Sequence, residues 1–238
     1  MMNEKIISIV TGASRGIGQA IAVKLAKEKH NLALFARDKN KLDETLKDCK
    51  KHGVDAVGFI GDVADPYFVN ESVNQVLLKY GKIDNLVNNA GVAVLKKFTD
   101  VTLEEFQLQM NTNMYGVFNF SKAVLDNMIE RKSGNIINIS SLAGKNAFVN
   151  GTTYGATKHA LMGFSKSLML EVRQFNIRVA LICPGSVNTD LLTGTFLEPK
   201  NVDSILNPSD IAETVVSIIN MPDTAFVSEV DIRPTNPR

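Results

Sequence analysis

At 238 residues, with 45% hydrophobic and 21% charged side chains, the chain can bury a full core and suits one α/β domain better than two. A formal net charge of +1 gives no electrostatic basis for binding nucleic acid or an anionic membrane. The opening Met1-Met2-Asn3-Glu4-Lys5 runs into an apolar stretch too short for a signal h-region or a membrane span, so a cytoplasmic protein is expected. Cys49 and Cys183 have no metal-like spacing and read as small buried residues, and His30, His52 and His159 are scattered; no metal site is expected.

Ile6-Ile7-Ser8-Ile9-Val10 is a β-branched run that stops at Thr11-Gly12-Ala13-Ser14-Arg15-Gly16-Ile17-Gly18, after which Ala20, Ile21, Ala22, Leu25 and Ala26 recur at helical spacing. This is strand, glycine turn, helix. Such a turn lets backbone approach a pyrophosphate, and the N–H groups and dipole of the helix start favour its charge. The spacing, G-x-x-x-G-x-G, departs from the G-x-G-x-x-G fingerprint of the common dinucleotide fold. Leu32 to Ala36 reads as the second strand. An NAD enzyme would place an acidic residue at its end to grip the ribose hydroxyls, whereas this chain has Arg37 there. Arg37 and Arg15 can make bidentate bonds to a 2′-phosphate, which favours NADP(H). Asp38 competes as a ribose ligand or caps the helix over 39–52.

Gly53 closes that helix, a third strand at 56–60 ends in Gly61-Asp62-Val63, and Asp65-Pro66 starts a helix to about Tyr80. Asp62 either accepts from an adenine amino group or caps a turn. A fourth strand, Asn85-Leu86-Val87, leads into Asn88-Asn89-Ala90-Gly91, where amides can tie strand ends together and small residues leave room for a ligand. Thr102-Leu103-Glu104-Glu105 is a capping-box start, and Asn113 lies in a polar break between apolar helices, marking a kink or a functional amide. The helix over 117–131 carries more apolar residues than one buried face requires. With the helix over 155–175 it predicts a homotetramer.

The fifth strand, Asn135 to Ile139, delivers Ser140-Ser141 at its carboxyl end, where ligands sit in open α/β sheets. Tyr154 and Lys158 follow on a helix running to about Phe175. Four apart, their side chains leave one face, and a cation held within about 4–6 Å of a phenol favours its anionic form. The sixth strand, 177–182, ends at Pro184-Gly185-Ser186-Val187-Asn188-Thr189. Residues 190–207 show no period and carry Leu191, Leu192, Phe196 and Leu197, which reads as a substrate loop. A last helix starts at Asn207-Pro208, and a final strand covers 225–233. Strands alternate with helices throughout, giving an α/β fold: a single doubly wound, Rossmann-like domain over 1–238 with a parallel sheet of about seven strands.

Taken in order, Thr11-Gly12-x-x-x-Gly16-x-Gly18, Asp62, Asn88-Asn89-Ala90-Gly91, Asn113, Ser141, Tyr154, Lys158 and Pro184-Gly185 resemble the short-chain dehydrogenase/reductases of the compact type. The resemblance implies that Tyr154 is the acid that protonates a carbonyl oxygen, or the base in reverse, and that Ser141 places that oxygen. It implies that Lys158 lowers the Tyr154 pKa and bonds the nicotinamide ribose, and that Asn113 holds a water for proton resupply. Cofactor contacts are implied at Gly12, Ser14, Arg15, Gly16, Ile17, Gly18, Arg37, Asp62, Val63, Asn89, Ala90, Gly91, Tyr154, Lys158, Pro184, Gly185, Val187 and Thr189. Ser140 is the rival for Ser141, its alternative being a strand-end hydroxyl bonding backbone.

The pattern is most similar to reductases of 3-oxoacyl thioesters carried on protein or CoA, with a small-molecule carbonyl or alcohol as substrate. Two departures favour broader carbonyl, hydroxy-acid or sugar dehydrogenases. Phe175 stands where carrier-protein reductases tend to place an arginine, and the tail reads Ile232-Arg233-Pro234 instead of an acidic-glycine pair. The alternative from another class is a catalytically silent NADP(H)-sensing protein.

Overall fold

The computed structural model describes residues 5–198, 201 and 204–236. The opening Met1 to Glu4, Pro199, Lys200, Val202 and Asp203 of the 190–207 loop, and Pro237-Arg238 of the tail lie outside the described residues.

Seven strands, β1 Ile7–Thr11, β2 Asn31–Ala36, β3 Ala56–Ile60, β4 Asn85–Asn88, β5 Gly134–Ile139, β6 Ile177–Pro184 and β7 Glu229–Ile232, form one sheet in the order β3-β2-β1-β4-β5-β6-β7. Every pairing is parallel. Residues of β1 and β2 are buried throughout, because helices cover both faces and a strand so covered must be apolar on both sides. Helices α1 Gly16–Lys27, α2 Lys39–Lys50 and α7 Pro208–Ile219 pack over one face around Ile21, Leu25, Leu34 and Ile211. Helices α3 Pro66–Tyr80, α4 Leu103–Met110, α5 Gly116–Arg131 and α6 Thr152–Val172 lie on the other side. There Phe35 stacks on Phe59 and meets Phe120 edge-on, both at 4.8 Å between ring centres.

The helix ends follow the capping chemistry of the sequence. Asp38 accepts from the Lys41 N–H and Asp65 from those of Tyr67 and Phe68, with Pro66 in the first turn of α3. Thr102 and Glu105 form a reciprocal capping box. Helix α2 stops at Lys50, short of the expected His52, and closes through Gly53 at φ +75°. The final strand is shorter than expected, since only Glu229–Ile232 finds a partner in β6.

Two features go beyond the sequence expectations. Between α4 and α5 the polar break stays helical: Asn111–Tyr115 forms a π-helical turn that joins α4 to α5 and leaves Asn113 buried. Side-chain amides also thread the sheet. Asn85 donates to Ser8 at 2.9 Å and accepts from Asn135 at 2.7 Å, while Asn88 donates to Asn138 at 2.9 Å and Asn138 to Ser165 at 2.8 Å. Buried amides so paired fix the strand register, because a slip would leave each of them unsatisfied.

Candidate active site

Neighbouring strands β1 and β4 feed helices on opposite faces of the sheet, and the crevice at such a switch point is where open α/β sheets hold ligands. The glycine turn and the Asn88-Asn89-Ala90 segment meet there. Thr11 Oγ1 accepts from the N–H groups of Asn89 at 2.9 Å and Ala90 at 3.0 Å, and the Asn89 amide donates to the Thr11 carbonyl at 3.0 Å. The amides thus tie the strand ends together, as the sequence suggests. The fit demands glycine. Gly12 has φ +64°, and a Cβ on it would stand 2.8 Å from Ala90 Cα. One on Gly18 would stand 2.2 Å from the Gly12 carbonyl oxygen. Gly18 therefore closes the turn from behind and is not in the cavity wall.

A cavity of about 1010 Å³ runs from this turn across the carboxyl ends of β4, β5 and β6. Its size is at the upper end of ligand pockets. Of the sequence-chosen site residues, all but Gly18 and Asn113 line it. At the end beyond β2, Arg37, Lys41 and Arg15 stand on the rim, and Lys41 is a cation the sequence reading overlooked. Asp38 is occupied with the Lys41 N–H at 3.1 Å, and Asp62 accepts from Ala64 N–H at 2.9 Å, so each carboxylate caps a local turn. Arg15 pairs with Asp190 at 3.1 Å, joining the glycine turn to the loop that follows β6.

At the other end, Ser141, Tyr154 and Lys158 share the wall. Strand β5 delivers Ser141, which caps a short turn by accepting from Ala143 N–H at 3.1 Å. Helix α6 carries Tyr154 and Lys158, and the Lys158 ammonium lies 5.8 Å from the centre of the Tyr154 ring. Lys158 is 5% exposed and donates to the Ile139 carbonyl at 3.0 Å. Burial lowers its pKa from 10.5 to about 8. Burial also raises the Tyr154 pKa, and a hydrogen bond with Ser141 pulls it partly back. The sequence expectation of a phenol lowered by Lys158 is thus reversed in this structure, because desolvation of the phenolate dominates.

Asn113 stands behind the site. Its amide accepts from Val92 N–H at 2.8 Å and donates to the Val92 carbonyl at 2.9 Å and to Thr157 Oγ1 at 3.0 Å. Thr157 in turn donates to the Tyr154 carbonyl at 2.8 Å. Asn113 therefore braces the strand-end segment against the helix of Tyr154. Ser140, also in the wall, does not bond backbone with its hydroxyl: the Oγ atom is buried with no protein partner among the described residues. An orphaned hydroxyl at the carboxyl end of β5, a steric cradle of glycines and a cationic far rim fit an elongated phosphate-bearing cofactor.

The model of the family described as short chain dehydrogenase matches residues 6–199. The chain belongs to that family. Among its relatives, the sepiapterin reductase of Chlorobaculum tepidum is 32% identical over 98% of this chain and 97% of its own length. A metagenomic short-chain oxidoreductase solved in complex with NADP is 35% identical, covers 97% of both chains and superposes with a TM-score of 0.86. A variant of actinorhodin polyketide ketoreductase solved with NADPH is 32% identical over 97% of this chain and 96% of that one, with a TM-score of 0.89. The short chain dehydrogenase fold accounts for the seven-stranded sheet and its single doubly wound domain. Among the described residues, no helix is long and apolar enough to cross a membrane.

Sequence reasoning missed several wall residues of this short chain dehydrogenase. Leu95, Phe148, Ile205 and Arg233 come from four separate loops and carry no local signal that they converge. Only the π-turn could have been suspected, from the helix-poor string Asn111 to Gly116.

Proposed function

We propose that this short chain dehydrogenase is an NADP(H)-dependent carbonyl reductase, with Tyr154 as general acid. One observation carries the reading: Ser141, Tyr154 and Lys158 converge at one end of a cavity whose other end is rimmed by Arg15, Arg37 and Lys41. NADPH, when bound, supplies a hydride. The arginines would hold its 2′-phosphate, the turn of Gly12, Ser14, Gly16 and Ile17 would receive the pyrophosphate, and Asp62, Val63, Asn89, Ala90 and Gly91 would border the adenosine and ribose. Pro184, Gly185, Val187 and Thr189 would border the nicotinamide.

Ser141 donates to the substrate carbonyl oxygen and Tyr154 gives it a proton as the carbon–oxygen π pair collapses onto it. A raised phenol pKa supports the acid role, since Tyr154 holds its proton at neutral pH. Lys158 bonds the ribose and supports the phenolate as it forms, and Asn113 holds the frame in which these groups meet. Residues 190–207 act as a substrate loop, supported by Leu191, Leu192 and Leu197 in the cavity wall.

The substrate is a carbonyl compound with an apolar body, of which 3-oxoacyl thioesters are one class; the apolar wall and the likeness to a polyketide ketoreductase support this. The chain acts in the cytoplasm as a homotetramer through α5 and α6, where Phe118 and Leu170 are exposed, and a monomer in light scattering at micromolar concentration overturns that assembly. The decisive test of the enzyme is an NADPH oxidation panel of acetoacetyl-CoA, aldehydes and aryl ketones. Turnover abolished by Tyr154→Phe, with NADPH affinity retained, is expected; undiminished turnover in that variant rejects the assignment.

A further inference from the structure

The tail that departs from the 3-oxoacyl pattern enters the cavity. The last pair of the β6–β7 register is Pro184 with Ile232, and Gly185 N–H donates to the Ile232 carbonyl at 2.8 Å. Arg233 and Pro234 therefore leave the sheet beside Pro184-Gly185, and both line the cavity wall. The same cavity wall carries the apolar side chains of Leu95, Phe148, Leu192, Leu197 and Ile205.

Arg233 is also the most loosely paired cation of a charge cluster. Lys145 bonds both Glu229 and Asp231, and Lys166 adds a contact to Glu229 at 3.0 Å. Three cations, Lys145, Lys166 and Arg233, thus face two carboxylates. Lys145 holds Asp231 through Oδ1, and Arg233 reaches the other oxygen only at 3.7 Å, beyond hydrogen-bond distance. Arg233 is thus the most weakly held of the three cations, and it lines the cavity wall with its side chain 58% exposed, so its fork of donors is open to a further anion.

We infer that Arg233 anchors an anionic group on the substrate, so that the preferred carbonyl compounds carry a carboxylate or phosphate at the far end of an apolar body. The inference rests on the reading of this cavity as a reductase site. It places a specificity determinant at the carboxyl end of β7, away from the cationic rim of Arg37 and Lys41.

The test uses calorimetry on the protein saturated with NADP+, which reads binding independently of turnover. The probes are para-acetylbenzoate, its methyl ester and acetoacetyl-CoA. In Arg233→Ala the dissociation constant of an anionic probe rises about tenfold, as loss of a charge-assisted hydrogen bond implies, and in Arg233→Glu it rises further. The ester and NADP+ bind as in the wild type. A loss for para-acetylbenzoate assigns the site to carboxylates, and one confined to acetoacetyl-CoA assigns it to a phosphate arm. Unchanged affinity for both anions overturns the inference, as does an equal loss for NADP+, which would put Arg233 on the cofactor. Failure of the wild type to oxidise NADPH with any of the three probes would instead reject the reductase reading while leaving the binding result to stand.

Discussion

The Lys158 ammonium sits 5.8 Å from the centre of the Tyr154 ring and is buried against the Ile139 carbonyl, so the cation that would support a phenolate is itself poorly solvated. Burial pushes both groups toward their neutral forms, Lys158 down to about 8 and Tyr154 up. Carbonyl reduction, which needs the phenol protonated and the ammonium charged, should be flat through neutral pH. Above about pH 8, kcat/KM should fall as Lys158 loses its proton, approaching tenfold per pH unit. A pH–rate profile with no break between 7 and 10 would contradict the assignment of that charge.

The same burial has a stability consequence with a definite sign. The folded-state pKa of Lys158, about 8, is below the value of 10.5 for an exposed lysine, so the charge is penalised at all pH below 8. The penalty fades as pH rises from 8 to 10.5. Its size is about 3 kcal/mol, of which the lost bond to Ile139 returns about 1 kcal/mol on mutation. Lys158→Met should therefore be more stable than wild type by about 2 kcal/mol at neutral pH while losing turnover. Chemical denaturation at two pH values checks this, since the advantage must shrink in alkali.

Asn113 braces Val92 and Thr157 with three hydrogen bonds while 1% exposed. Asn113→Ala leaves the Val92 amide and carbonyl without that partner, a cost of about 2–4 kcal/mol. The melting temperature should fall by roughly 5–15 °C. Asn113→Asp keeps the acceptor for Val92 N–H but sets a buried carboxylate oxygen against the Val92 carbonyl, so it should lose at least as much; a clearly smaller loss would show that the donated bonds contribute little to the bracing.

Arg37 stands at the carboxyl end of β2 on the cavity rim. Arg37→Asp should lower kcat/KM with NADPH by about 10–100-fold, the worth of a charge-assisted phosphate contact, and shift preference toward NADH. An unshifted ratio of the two cofactors would assign the 2′-phosphate to Arg15 and Lys41 instead.

Asp190 competes for Arg15 at 3.1 Å in an exposed ion pair. Such pairs contribute at most about 1 kcal/mol, so Asp190→Ala should tighten NADPH about two- to fivefold by releasing Arg15. Fluorescence titration of NADPH measures it directly, and weaker binding would mean that the pair orders the turn for the cofactor.

What the sequence determined by itself was the order of the parts. Alternating β-branched runs and helical periods dictated a doubly wound parallel sheet, and local chemistry at Asp38, Asp65 and Thr102 set helix starts. The Tyr154 and Lys158 spacing placed both on one helix face, because that depends only on residues four apart. Tertiary structure decided the rest. Whether Lys158 depresses the phenol or is itself depressed depends on burial by distant strands. The burial of Asn113 comes with a π-turn that local propensity does not specify. Arg233 reached the cavity only because β7 ends in register with Pro184 of β6, a pairing made between segments that nothing in either local pattern brings together.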